Sequence, residues 1–471
     1  MTGPSASLQF YKTIATSANR HAGRWRYYYG EMAQLLSFLI PHDATVMQLG
    51  SGSGDLLAQL PGKRKTGIEC VPELLEKAKK DHPNIVSIED DFWNLKTKQQ
   101  FEYGLIAEIT DSLPDIEVML RESRKVLEER GRLIMVTRSR VWRPVFAIAK
   151  SLRFMRSQGP FRNLLRLRDL ENMLHLAGFE VVSKGRGIIC PVYIPLLSAF
   201  CNRFLAHLPV FSYFGAIQYV VARPYPIERR EVNVSIIVAA RNEKGNIKSI
   251  VERIPTLGTK TEVVFVEGHS KDGTWEEMER VKREYTGPLS ITLLKQDGKG
   301  KWDAVKKGFT AAQHELLMIL DADMTVPPED LPRFYEAYVE GRADFVNGSR
   351  FIYPMEGEAM RFFNKLGNRF FITFVSFIIG WRLTDTLCGT KVFSKRDYDR
   401  FAFHARYFSA WDPFGDFDLI FSAAKRNLRI AELPIAYRDR TYGQTQISRW
   451  RDGYKLLRMC LYTVIRFKFK R

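Results

Sequence analysis

A chain of 471 residues is too long for one ordinary hydrophobic core, so two domains are expected. With 45% hydrophobic and 26% charged residues and no low-complexity tract, disorder is excluded as the main state. A formal net charge of +18 points to a membrane face or phosphate-bearing ligands, ranked above nucleic acid because the basic residues are spread and no nucleic-acid module is present.

Cys70, Cys190, Cys201, Cys388 and Cys460 stand without paired spacing, which fits a reducing compartment and argues against a disulfide framework or zinc site. The first residues, MTGPSASLQFYKTIATS, hold no basic-then-apolar signal region. The longest strongly apolar run, FFITFVSFIIGW at 370–381, is too short to span a bilayer, which takes about 20 residues.

In chain order, TVMQLG from residue 45 reads as a strand, DLLAQL as a helix start, RKTGIE as a strand and PELLEKAKK as a helix. NIVSIEDD, YGLIAEI and GRLIMVT follow as strands, and this alternation implies a parallel sheet covered by helices. The first strand runs into GSGSGD, where Gly50, Gly52 and Gly54 permit a tight turn and close approach of a ligand to the backbone. Glu69 ends the second strand, where a carboxylate can accept from both hydroxyls of a ribose. Asp90 and Asp91 end the third, near the place of an adenine. A glycine turn, a strand-end acid and further acids in that order point to a nucleoside cofactor.

These features resemble the class I S-adenosylmethionine-dependent methyltransferases over about residues 25–222, with GFEVV at 178–182 and QYVVARP as late sheet elements. The resemblance implies a Rossmann-like sheet. It sets Gly50, Gly52 and Gly54 along the methionine part of the cofactor, Glu69 at the ribose and Asp91 near the adenine. Gln48 stands where the family usually has an acid, which removes the charge that would pair with the cofactor's amino group. No residue is singled out as a base. His42 and Tyr27 to Tyr29 are near in sequence, and methyl transfer can run on proximity alone. The other reading of this half is a non-catalytic binding or docking module.

VARPYPIERREVNV, residues 221–234, holds two prolines and a charge cluster and marks the boundary. The expected division is 1–222, a linker at 223–231, and 232–471. Beyond it the pattern restarts: VSIIVAA, EVVFVE, ITLLKQ and ELLMILDAD as strands, with NIKSIVERI and WDAVKKGFTAA as helices. VSIIVAA ends at Arg241, Asn242 and Glu243, the next strand at Glu267 with Asp272 in a glycine-flanked turn, LLMIL at Asp321 and Asp323, and FVNG at Ser349 and Arg350. A nucleotide diphosphate leaving group needs a hard cation with oxygen ligands, and two carboxylates at i and i+2 on a strand end can hold one.

The combination resembles family 2 glycosyltransferases of the GT-A fold, in the dolichyl-phosphate mannosyltransferase or polyprenyl-phosphate glycosyltransferase branch, from about Val234 to Arg449. RNE, DGT, GKGKWDAVKKGF, DAD, GSR, DTLCGTKVF, FGDFDLIFSAAKRNLRIAELPI and YRDRTYGQTQISRWR carry it. By resemblance Asn242, Glu243, Glu267 and Asp272 surround the nucleotide, Glu267 replacing a commoner Asp. Asp321 and Asp323 handle ribose, diphosphate and Mg2+ or Mn2+, with Lys299, Arg350, Lys391 and Arg440 as phosphate contacts.

The implied activity is inverting sugar transfer to a polyprenyl phosphate. The alternative is a glycan hydroxyl, which needs a base, with Asp416 or Asp418 as candidates. The segment 359–381 sets Phe362, Phe363, Leu366, Phe370, Phe374, Phe377 and Ile378 beside Arg361, Lys365 and Arg369, an interfacial helix pattern. The tail interleaves Arg451, Lys455, Arg458, Arg466, Lys468, Lys470 and Arg471 with Leu456, Leu457, Leu461 and Val464. Both patterns also fit core-facing helices with snorkelling cations. The expected setting is the cytoplasmic membrane surface, peripherally bound. The whole chain looks like a fused methyltransferase–glycosyltransferase arrangement found in bacteria and archaea.

Overall fold

A computed structural model describes residues 25–113, 115–145, 148, 165–352, 362–404, 412–438, 442 and 449–469. The chain divides between Ile227 and Glu228 into two compact units, each built on its own seven-stranded sheet.

In the first unit β1 (Thr45–Leu49), β2 (Arg64–Glu69), β3 (Val86–Glu89), β4 (Phe101–Ala107) and β5 (Leu127–Arg138) run parallel. The sheet order is β3-β2-β1-β4-β5-β7-β6, with β6 at Phe179–Gly187 and β7 at Ile217–Pro224. The central strands are apolar on both faces because helices cover both sides. Met47 and Ile106 feed the core on one face, Val46 and Leu105 the core on the other. The helix Pro72–Asp81 begins with a proline at its first turn, where no N–H is needed, and ends on Lys79 and Lys80, which suit the negative end of the helix dipole.

The expectation of a parallel sheet holds through β5 and then fails. β7 is antiparallel to both β5 and β6 and lies between them. All its residues are buried, so no alternation in its sequence marks direction. The strand also continues to Pro224, past the expected domain end at residue 222.

In the second unit the order is β10-β9-β8-β11-β13-β12-β14. Here β8 is Val234–Ala240, β9 Thr261–Glu267, β10 Ser290–Lys295, β11 Leu316–Ile319, β12 Phe345–Ser349, β13 Lys391–Ser394 and β14 Ile430–Pro434. β8 to β11 are mutually parallel where they pair, and β13 runs antiparallel to β11 and β12. The helix Lys301–Ala311 packs close against the sheet at Gly308, where a Cβ would stand 2.5 Å from Ile237 Cγ2. β9 and β10 are added on one side of β8 and β11 on the other, so the strand order switches between β8 and β11, and a crevice opens there at their carboxyl ends.

Candidate functional sites

Register brings the acids of the second unit together. Ala240 pairs with Glu267 and Ile237 with Ile319, so the turns after β8, β9 and β11 emerge at one edge. Asn242 takes a left-handed φ of 55°, its N–H donates to Ser270 Oγ at 3.0 Å, and its Oδ1 accepts from Lys271 N at 2.9 Å. Glu243 is buried and accepts from Asn246 Nδ2 at 2.7 Å, while its N–H donates to Thr274 Oγ1. Glu267 accepts from Ser270 N at 2.5 Å. Asp272 accepts from Lys244 N at 3.2 Å and from Thr274 N at 3.1 Å. Burial pushes the Asp272 carboxyl up, but the Thr274 hydroxyl and these N–H groups outweigh it and hold it below the usual range. Three acids are thus set in a rigid frame of turns.

Asp321 and Asp323 follow β11. Asp321 pairs with Lys301 Nζ, at the start of the helix Lys301–Ala311. Sequence reading chose Lys299 from the same glycine-rich stretch, but Lys299 is exposed. The helix begins only at Lys301, which aims that side chain, and not its neighbour, at the strand end. Gly389 closes over the pair: a Cβ there would overlap Asp321 Oδ2 and Lys301 Nζ. Burial raises the Asp321 carboxyl, but Lys301, then Lys391 and Arg350, outweigh it and hold the acid ionised. Burial lowers Lys301, while Asp321, Asp416 and Asp323 push it well above its ordinary value. Asp323 Oδ1 accepts from Thr325 N at 3.1 Å and Thr325 Oγ1 at 2.8 Å.

Arg350 lies inside, not on the surface. It is 9% exposed and forks onto Asp385, Nε to Oδ2 at 2.6 Å and a second guanidinium N–H to Oδ1 at 2.8 Å. Two of its five N–H donors are therefore committed to a protein carboxylate. Lys391, at the start of β13, is fully buried and donates to Asp416 Oδ1 at 2.7 Å. Asp416 and Asp418 open the helix Asp416–Lys425. Asp418 is 2% exposed, and burial followed by the charge of Asp412 pushes its carboxyl up to about 8. Arg440 lies outside the described residues.

Among the described residues no group of three His, Cys, Asp or Glu side chains could hold a metal. Asp321 and Asp323 alone supply too few oxygens for a resident ion. They fit a hard cation that arrives with a diphosphate and completes its shell from phosphate oxygens and water, the ordinary habit of Mg2+.

In the first unit Gly50, Gly52 and Gly54 take φ of 67°, 57° and 80°, backbone that side chains resist. Glu69 is fully buried beneath them. Its Oε2 accepts from Gly52 N at 2.8 Å, and its Oε1 from Cys70 N at 2.9 Å and Val71 N at 3.0 Å. The carboxylate braces the glycine turn, so a ribose that met Glu69 would have to shift that turn. Asp90 is likewise a brace, accepting from Lys96 and Thr97 N–H, whereas Asp91 is half-buried and accepts from Trp93 N. Gln48 is 3% exposed and its Oε1 has no hydrogen-bond partner. A buried acceptor without a donor, beside three left-handed glycines, fits a cofactor that brings an ammonium group.

Sequence reading missed Glu108, which follows β4 with φ of 58°. It accepts from the Tyr28 hydroxyl and meets Arg138 Nε at 3.4 Å. Burial and then Glu108 raise the Tyr28 phenol, and Glu108 and then burial raise that of Tyr29. Both remain proton donors at neutral pH. Tyr27 instead meets Asn202 at 3.2 Å and helps line a cavity of about 530 Å³ with Arg26, Glu31, Gln34 and Tyr193. His42 is exposed. The only sequence signal for Glu108 was its place at a strand end.

The apolar segments divide. In the helix Phe362–Ile379, Phe371, Val375 and Ile378 are buried, with Phe371 against Phe417 at 5.4 Å, while Phe370 and Phe377 are exposed. Ile378 therefore belongs to the core and not to an outer face. The side chains of Phe362, Phe363, Lys365 and Leu366, and residue Arg361, lie outside the described set. In the helix Arg449–Val464, Leu456 is buried and Leu461 exposed. Lys470 and Arg471 are outside the described residues. No helix among the described residues is long and apolar enough to cross a membrane.

Residues 235–403 match the family model described as glycosyl transferase family 2, and residues 24–184 that described as methyltransferase domain. Over 29% of the chain, 32% of residues are identical to a dolichol-phosphate mannosyltransferase of Pyrococcus furiosus, of which 38% is covered. Over 49% of the chain, 27% are identical to a dolichyl-phosphate hexose transferase of Haloferax volcanii, of which 94% is covered. The chain thus spans well under half of the first relative and nearly all of the second. A solved S-adenosylmethionine-dependent methyltransferase of Thermotoga maritima aligns with 46% of the chain and 99% of its own, at 18% identity and a TM-score of 0.35. The strand orders, the acids at the strand ends and the two family matches together identify the chain as a methyltransferase domain joined to a family 2 glycosyl transferase domain.

Proposed function

We propose that the second unit moves a sugar, with inversion, from a nucleotide-sugar donor to a polyprenyl phosphate at the cytoplasmic face of a membrane. The first unit binds S-adenosylmethionine and methylates a sugar hydroxyl or carboxyl carried by its partner.

The observation that carries the acceptor class is the state of Asp416 and Asp418, the two acids that could serve as a base. Asp416 is fixed by Lys391 at 2.7 Å, and Asp418 keeps its proton up to about 8. Neither is a ready base at neutral pH, and a hydroxyl acceptor needs one. A phosphate monoester, with a second pKa of about 6, is already a largely anionic nucleophile. Relatives named for dolichyl and undecaprenyl phosphates favour the same class.

Glu243, Glu267 and Asp272 frame the base and ribose of the donor. Mg2+ or Mn2+ held by Asp321 and Asp323 would supply charge neutralisation for the departing diphosphate. Lys301 adds a protein cation at that place. Arg350 and Lys391 offset the charge of Asp321 from behind while their own partners hold them in position. In the first unit the glycine turn and Gln48 hold the cofactor, which brings an activated methyl group. Transfer then needs little beyond orientation.

The test is incubation of the full chain with radiolabelled nucleotide sugars and polyprenyl phosphate, followed by thin-layer chromatography. Label is expected in a lipid phosphodiester, at a rate that rises through about pH 6. Label found only on glycan hydroxyls, at a rate rising through the Asp418 value, would overturn the acceptor assignment.

A further inference from the structure

The connection from β6 to β7 is built inside out. Residues 188–216, IICPVYIPLLSAFCNRFLAHLPVFSYFGA, contain no Asp or Glu. Within the helix Leu197–Arg203 the buried residues are the polar Ser198 and Asn202, and the outward ones are Leu197 and Phe200. Ser198 Oγ donates to Val192 O at 2.9 Å and accepts from Ile194 N at 2.5 Å. Asn202 Oδ1 accepts from Cys190 N at 2.9 Å, and its Nδ2 donates to Cys190 O at 2.9 Å. These bonds fix the loop from within and leave its apolar side chains facing water.

That exposure is held against backbone preference. Leu196, just before this helix, has φ of 62° and is 89% exposed. The turn is closed by Leu197 N–H on Pro195 O at 2.7 Å, a backbone bond that gives the leucine side chain no apolar contact of its own. Phe204, Val210, Phe211 and Phe214 continue the patch, each more than two-fifths exposed. Isolated exposed apolar residues are ordinary, but a continuous cluster of this kind marks a docking surface.

The rim identifies the occupant. Trp142 Nε1 donates to Phe214 O at 2.6 Å, which joins the Arg140–Trp142 turn to the patch. Arg140 and Arg143 are exposed beside it. Arg186 lies over the Tyr213 ring at 4.5 Å, and Arg203 is exposed on the helix itself. In sequence, no acid occurs from Arg130 to Arg168 either. Aliphatic and Phe side chains with Trp142 and Tyr213, and a surround in which Arg140, Arg143, Arg186 and Arg203 outnumber the one acid, Glu31 beside Tyr193, are the chemistry of an anionic bilayer surface. A protein partner would need acids to meet this rim and an apolar face to meet its centre; the headgroup–acyl boundary offers both together.

We infer that residues 188–214, with Arg140 and Arg143, form a membrane-docking surface on the methyltransferase unit, separate from the apolar segments of the second unit. The choice of lipid as occupant draws on the proposed lipid-borne acceptor, while the surface itself stands on its own geometry. It implies that the methyl acceptor is met at the membrane and is itself lipid-linked.

The test uses the full chain and vesicles of phosphatidylcholine with or without phosphatidylglycerol, with no nucleotide sugar or polyprenyl phosphate present. Its outcome is therefore independent of sugar transfer. Hydrogen–deuterium exchange is expected to show vesicle-dependent protection within 188–216. The double variant Leu196→Ser, Phe200→Ser should lose that protection and weaken vesicle binding by about tenfold or more. Arg140→Gln with Arg143→Gln should remove the dependence on phosphatidylglycerol at this segment, and it guards against a misfolded loop in the apolar variant. Leu176→Ser, an exposed leucine on a different element, should change neither readout. No protection within 188–216, or protection that depends on protein concentration without vesicles, would overturn the proposal; the second result would assign the surface to another copy of the chain.

Discussion

Both units collect acids at the carboxyl ends of parallel strands, and the acids meet opposite company. Glu69 is met by backbone N–H groups, neutral dipoles that leave the local charge negative. Asp321 is met by Lys301, with Lys391 and Arg350 behind it, so its charge is offset by cations. One architecture thus yields an edge suited to ribose hydroxyls and an ammonium, and another suited to a diphosphate. The difference lies in which side chains stand behind the acids, not in the acids.

The comparison breaks most visibly at the second site. Asp321→Asn and Asp323→Asn should each lower sugar transfer by about 10²- to 10³-fold, the scale of losing one preorganised electrostatic group. Full activity of either variant, or of the native chain in excess EDTA, would remove the metal-site assignment. Arg350→Ala should act first on stability. It leaves Asp385 buried without its partner, at a cost of about 3–5 kcal/mol in urea denaturation. A small stability change with a raised donor KM would return Arg350 to the role of a phosphate ligand. Lys301→Met should lower kcat/KM by roughly tenfold or more, as the loss of a charge-assisted contact implies, with Lys299→Met near native. The reverse order would show that the glycine-rich stretch acts through its exposed lysine.

At the first site, Glu69→Gln should weaken S-adenosylmethionine binding by roughly tenfold, the scale of one charged hydrogen bond, as measured by calorimetry. Unchanged affinity would show that the glycine turn does not depend on this brace. The smallest effect expected is a pH dependence. The folded state holds the Asp418 proton more tightly than the unfolded chain, whose aspartate pKa is about 3.9. The stability from this group is therefore full at low pH and is lost as pH rises toward about 8. Asp418→Asn should raise the melting temperature by an amount that widens from about pH 5 toward neutrality and above. A constant difference would mean that the acid titrates normally.

The sequence by itself determined both sheets as far as apolar runs and turn residues carry information. The strands from TVMQLG to GRLIMVT, the restart at VSIIVAA, and the acids at Glu69, Glu267, Asp321 and Asp323 are local features, written in neighbouring residues. What only tertiary structure decided concerns partners distant in the chain. The direction of β7, the burial of Arg350 on Asp385, the pairing of Lys391 with Asp416, and the approach of Tyr28 to Glu108 are such cases. So is the choice of Lys301 over Lys299, which turns on where one helix begins and what Gly389 leaves room for. Charge and hydropathy name a residue's chemistry, but burial and the opposite charge across the fold decide whether that chemistry is spent on the protein or left for a ligand.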